Sequence, residues 1–235
     1  IKNKCGSFFK VFTPFWRKCM AENTPDAPFP RPTELRGHPD KDPFQIRLPE
    51  ALLSDDANLI RDEWTPGEAG AYQQFEKFID EGLTIYAEFR DFPDRPATSR
   101  LSPYLRWGEI GPRQIWAKIQ FIKSHERFSE KTISKFLAEI GWREFSYNLI
   151  FHVPEMVTQN LQPSFNDFPW EKNEKALQQW KDGNTGYPFV DAGMRELNRT
   201  GFMHNRVRMI TASFLIKHLM IDWRSGEKYF WDRLL

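Results

Sequence analysis

Residues 183–232 read GNTGYPFVDAGMRELNRTGFMHNRVRMITASFLIKHLMIDWRSGEKYFWD. Their apolar residues return at helical rather than strand spacing, so helices are expected over 188–199, 204–221 and 225–235. Working outward, a further helix fits 171–181. Ser129 is placed to cap a long helix through Ile133, Phe136, Leu137 and Ile140 to Phe145. Gly111-Pro112 opens a helix with Ile115, Ile119 and Ile122 on one face, and Ser102-Pro103 opens a short one ending near Trp107. Thr65-Pro66-Gly67-Glu68 predicts Thr65 as an N-cap, Pro66 at the first helical position and Glu68 closing a capping box. That helix runs through Tyr72, Phe75 and Phe78 to Glu81. Alternating strand patterns are nearly absent, so the expected fold class is all-α.

The chain has 235 residues with 33 Lys+Arg against 32 Asp+Glu, so no global charge excess points to a polyanion. The neutrality is an average. Residues 48–91 hold eleven acids and only Arg61, Lys77 and Arg90, whereas 195–228 hold seven Lys/Arg against Glu196, Asp222 and Glu227. Such a dipolar molecule can bind a polyanion with one face, although ordinary solvated helix faces would give the same counts. Two cysteines, Cys5 and Cys19, exclude a disulfide framework and a Cys-rich metal site. No apolar run approaches the ~18 residues that cross a bilayer, so no membrane partner is expected. Seven prolines between 25 and 49 make that stretch an extended connector, giving a connector over 1–45 and a helical domain over 46–235. Nine tryptophans among 36 aromatic residues call for a reason.

Signatures of nucleotide-binding loops, zinc hydrolases and serine esterases are missing. Three stretches remain. Thr98-Ser99-Arg100-Leu101-Ser102 gathers three hydroxyls around a cation at a helix mouth, suited either to a phosphate or to simple capping. In Glu139-Ile140-Gly141-Trp142-Arg143-Glu144, Glu139 and Trp142 share a face, as a polar aromatic ligand would need. Arg143 lies four residues from Glu139, which also fits a surface ion pair beside a core tryptophan. In His204-Asn205-Arg206-Val207-Arg208-Met209, Asn205 and Met209 share a face; Asn can read a base edge, and the two arginines can hold phosphate or a carboxylate, or lie on the surface.

Together and in this order, TSRLSPYLRWGEIGPRQIW (98–116), FLAEIGWREFSYNLI (136–150), the segment 183–232 and VFTPFWRKC (11–19) resemble the helical FAD-binding domain of the DNA photolyase/cryptochrome family. The resemblance covers nearly all of 86–235 and part of the early linker. It implies that FAD is bound by Tyr86, Thr98, Ser99, Arg100, Leu101, Ser102, Phe136 and Arg208. Phe136 stands where many members carry tryptophan, a departure that keeps an aromatic surface. Arg208 is similar to the arginine that lies against the flavin and pairs with an aspartate; that aspartate, a flavin-facing Asn and a flavin-proximal Trp are expected beyond Leu235. Trp170 and Trp223 match the outer and middle members of an electron-hopping chain, while Phe202 is not expected to relay electrons.

For DNA, the resemblance implies that Glu139, Trp142, Asn205 and Met209 hold a flipped-out pyrimidine dimer, with Arg90, Arg143 and Arg206 as further DNA contacts. The implied activity is that of a class I cyclobutane pyrimidine dimer photolyase: light-excited reduced FAD donates an electron, the ring splits and the electron returns. Glu139 would stabilise the reduced dimer through its carbonyls. A blue-light cryptochrome and a six–four photoproduct photolyase are the alternatives, the latter relying on paired histidines that have no counterpart here. The resemblance also implies a domain incomplete at its C-terminal end and a separate N-terminal α/β antenna domain, the only expected site of a folate or deazaflavin antenna. DNA containing pyrimidine dimers is the expected partner of a monomeric, cytoplasmic protein. A third reading is that a chain of this length neither binds FAD nor repairs DNA by itself.

Overall fold

Helix periodicity dictates nearly everything in the computed structural model, which describes residues 2, 6–22, 25–34, 60, 62–123 and 127–235. The chain forms α1 (Phe12–Glu22), α2 (Gly67–Lys77), α3 (Tyr86–Phe89), α4 (Ser102–Trp107) and α5 (Pro112–Ile122). It continues through α6 (Glu130–His152), α7 (Glu174–Asp182), α8 (Pro188–Thr200), α9 (Asn205–Lys217) and α10 (Trp223–Arg233). Among the described residues there is no strand, only an isolated antiparallel bridge between Lys2 and Phe8. None of their helices is long and apolar enough to cross a membrane. Cys5, most of the proline-rich connector and the proposed boundary at 45–46 lie outside the described residues.

Capping follows the sequence in one place and departs from it in another. Ser129 accepts from the Thr132 N–H at 3.2 Å and starts α6 as expected. Thr65 does not cap α2, whose first helical residue is Gly67 rather than Pro66. Pro66 takes the N-cap place and has no side-chain acceptor, and the Gly67 N–H donates to Glu109 Oε1 at 2.7 Å, a partner 42 residues away. Past Lys77 the helix widens into a π-helical turn, Phe78–Gly82. There a Cβ on Gly82 would sit 2.8 Å from the Phe78 ring, so the tight approach needs glycine.

The apolar faces sort into two main cores. One gathers Phe75, Phe78, Leu101, Ile119, Phe136 and Ile140 from α2 to α6. The other gathers Trp180, Met194, Leu197, Val207, Phe214 and Leu215 from α7 to α9. Trp180 is fully buried, and its indole N–H donates to the Thr211 carbonyl at 3.0 Å, so this large ring is packed without losing a hydrogen bond. A small third cluster, Phe9, Phe15 and Phe145, fastens the early aromatic stretch to α6. Trp64 bridges the main cores: its ring lies against Tyr104 and Phe202, and its N–H donates to the Thr200 carbonyl. The seam between the cores is where the chemistry gathers.

Candidate functional site

A cavity of about 430 Å³ opens along this seam. The start of α3 brings Tyr86 and the residue after its end Arg90, and the loop leading into α4 brings Thr98 to Ser102. α6 adds Phe136, Glu139 and Arg143, and the start of α9 adds Asn205, Arg206 and Arg208. Segments more than a hundred residues apart in sequence thus place thirteen expected residues around one space (Tyr86, Arg90, Thr98, Ser99, Arg100, Leu101, Ser102, Phe136, Glu139, Arg143, Asn205, Arg206, Arg208).

Its floor is aromatic. Phe136 packs against Phe78 at 4.9 Å and edge-on to Tyr86 at 5.5 Å. Burial pushes the Tyr86 phenol above its ordinary range, more than the neighbouring Arg90 lowers it, so the ring carries a neutral hydroxyl. Arg90 lies over the Tyr86 ring at 5.1 Å and donates to Glu139 Oε1 at 2.7 Å. The Glu139–Arg143 pair that the spacing allows is not formed; Arg143 bonds its neighbour Glu144 and covers Tyr147. The spacing also left Arg206 and Arg208 open, and they differ. Arg206 is exposed and donates to Asp91 Oδ1 at 2.8 Å, holding the Asp91 carboxyl below the usual carboxylate range.

Around the loop the hydroxyls do not act as helix caps. No side chain caps α4; Ser99 Oγ accepts from the Leu101 N–H at 3.4 Å. Arg100 adopts a left-handed φ of 53°, unusual for a side chain with a Cβ. Its guanidinium is held by Glu63 between Trp64 (4.9 Å) and Phe202 (4.6 Å). It thereby forms a wall between this cavity and a neighbouring one of about 580 Å³.

Arg208 is the anomaly. Its Nε is buried and meets no partner among the described residues, and the bond from Nη2 to the Met203 carbonyl is long at 3.5 Å. Burial pushes this guanidinium below its ordinary pKa. A buried orphan donor calls for an acceptor. Arg208 faces both the main cavity and an adjoining one of about 380 Å³ that also holds Trp223. A flat group rich in nitrogen and oxygen acceptors, lying on the Tyr86–Phe136 floor, would satisfy it, so the residues present fit a flavin.

The remaining expected residues stand outside the cavity. Trp142 is 45 % exposed, and one face of its ring is covered by Phe12, parallel at 3.8 Å. Met209 is exposed beside Asn205 and Arg206, its sulfur 3.9 Å from Asn205 Nδ2. Trp223 donates to Asn160 Oδ1 at 2.8 Å. Trp170 rests on Phe168 at 4.3 Å and lines none of the cavities described. Sequence reasoning missed Phe12, Asp91 and His204. His204 and Asp91 directly adjoin expected residues, which was the available signal; Phe12 lies in the quoted stretch 11–19, but nothing local marked its partner Trp142.

Residues 136–235 match the family model described as the FAD binding domain of DNA photolyase. The chain is 47 % identical over 239 residues to a deoxyribodipyrimidine photo-lyase of Agrobacterium fabrum, covering all of this chain and 49 % of the relative. It is 35 % identical to Cryptochrome-2 of Arabidopsis thaliana, covering 98 % of this chain and 40 % of that one. A bacterial class III photolyase from Agrobacterium tumefaciens superposes with a TM-score of 0.91 at 45 % identity, over 100 % of this chain and 49 % of the other. The chain spans about half the length of the curated relatives it matches. With the seam cavity, the motifs and these relatives in agreement, the chain belongs to the DNA photolyase/cryptochrome family.

Proposed function

We propose that this chain is the flavin- and DNA-binding part of an enzyme that repairs cyclobutane pyrimidine dimers in light. The observation that carries this reading is the joint presence in one cavity of the orphaned Arg208 and the Arg90–Glu139 pair. Tyr86, Thr98, Ser99, Arg100, Leu101, Ser102, Phe136 and Arg208 would hold FAD. The chemistry that a bound, reduced flavin brings is light-driven donation of one electron.

The protein's own work is positioning. A dimer distorts the duplex and costs less to flip out than a sound base pair. Trp142 offers it the ring face that Phe12 leaves free. A carboxylate salt-bridged to Arg90 can only accept, so Glu139 suits the N–H of a pyrimidine edge rather than its carbonyls. Donation to the carbonyls, where charge develops, falls to Arg90 and Asn205. Arg143 and Arg206, at the rim, would meet phosphates and make binding salt-dependent. Trp223, in the cavity adjoining Arg208, and Trp170 would carry electrons inward when the flavin must be reduced.

Lesion contact has a direct test. Trp142→Ala is expected to weaken binding of a dimer-containing single strand by ~1–3 kcal/mol in an anisotropy titration, with little change for undamaged DNA. Equal affinities for the variant and the parent would remove Trp142 from the lesion site. A cryptochrome reading is favoured by the similarity to the Arabidopsis protein. It predicts flavin photoreduction without repair.

A further inference from the structure

His204 joins the two cores at the cavity, and nothing in the proposed chemistry uses it. The ring is buried, 6 % exposed, at the N-cap of α9. Nδ1 accepts from the Arg206 backbone N–H at 3.2 Å. Nε2 lies 3.0 Å from the Arg90 carbonyl oxygen, across 114 residues of sequence. A carbonyl can only accept and a backbone N–H can only donate, so these partners fix the tautomer: the proton sits on Nε2, and the ring is neutral. Burial lowers the imidazole pKa, and of the charged groups around it Asp91 opposes that shift while Arg206 and Arg90 reinforce it.

The consequence lies in what the two bonds hold. Arg90 is the residue whose guanidinium grips Glu139 on α6. Arg206 and Asn205 begin α9, the helix that also carries Arg208 into the cavity. We infer that His204 is a positioning residue for lesion recognition, a two-ended spacer that fixes the distance between the Arg90–Glu139 pair and the Asn205–Arg206 helix start. This rests on the reading of the cavity as a lesion site. The parallel link, Arg206 to Asp91, is half exposed at both ends and is the weaker constraint. Without the spacer, the donor and acceptor groups on the two walls lose their mutual register while each wall stays folded.

Two variants each keep one end. In His204→Asn the amide oxygen replaces Nδ1 and still caps α9, but the side chain does not reach Arg90. In His204→Gln the amide nitrogen replaces Nε2 and reaches Arg90, but the cap is lost. The flavin-loaded parent and both variants are titrated with a dimer-containing oligonucleotide and with its undamaged copy. The bound flavin is read from its absorbance, and the ring tautomer from nitrogen-15 NMR of the parent. The expected result is an Nε2–H tautomer, a preference for damaged DNA in the parent, and about tenfold weaker damaged-DNA binding in both variants. Flavin content and undamaged-DNA affinity should change less than about twofold.

Variants that keep the parent's preference would overturn the spacer and leave the repair reading intact. Equal losses for both DNAs, or loss of flavin, would overturn it in favour of a purely structural histidine. An Nδ1–H tautomer would contradict the geometry it rests on. A parent without preference for damaged DNA would instead sink the lesion reading itself.

Discussion

Arg208 shows how much a single side chain can report. Arg208 Nε is buried without a partner, and leaving such a donor unsatisfied costs about 1–3 kcal/mol, so this atom destabilises the flavin-free fold. Arg208→Leu is therefore expected to leave flavin-free protein as stable as the parent, or ~1–3 kcal/mol more stable by urea denaturation, while abolishing flavin retention on a desalting column. A variant that is destabilised yet keeps its flavin would show that the arginine serves packing. The residue type and its place after Asn205-Arg206 were legible in the sequence; its burial was not, since surface and buried arginines share the same helical spacing. Glu139 teaches the same lesson. Local spacing offered Arg143, but Arg90, 49 residues upstream, takes the carboxylate. Long-range competition of this kind leaves no local trace.

At the scale of elements, α6 organises the site because its faces do different work. Phe136, Glu139, Ile140 and Arg143 face the cavity, while Gly141, Trp142 and Phe145 meet α1. Gly141 is required by the crossing: a Cβ there would lie 2.4 Å from the Trp16 ring. Gly141→Ala is expected to cost ~1–3 kcal/mol and to loosen α1, read as a lower denaturation midpoint and faster proteolysis before Phe12. Unchanged values would mean that α1 does not depend on this contact. The helices and most of their starts were legible because apolar period and caps are local signals. α6 instead runs on to His152, past the expected Phe145, and Thr65 fails as a cap because the helix starts one residue later, leaving Pro66 in the N-cap place. α1 was marked only by the stretch VFTPFWRKC (11–19), which does not name its partner; in the structure that partner is α6.

Across the whole molecule, the acidic and basic segments explain the neutral total in a new way. Asp91, from the acidic segment, pairs with Arg206, from the basic one, across the seam between the cores. Part of the charge segregation therefore closes the cavity rather than facing DNA, which composition could not reveal. The tryptophans divide likewise: Trp180 fills a core, Trp64 bridges two, Trp142 lies half exposed against Phe12 and Trp223 borders Arg208. What unites these observations is a seam that would bring a flavin and a flipped base within reach of each other. The most direct test is to illuminate the flavin-loaded, reduced protein with a dimer-containing single strand and follow absorbance near ~260 nm, where restored pyrimidines absorb. The account predicts a rise that requires light and stops when the dimers are consumed; no rise in light, with flavin and damaged DNA both bound, would contradict it.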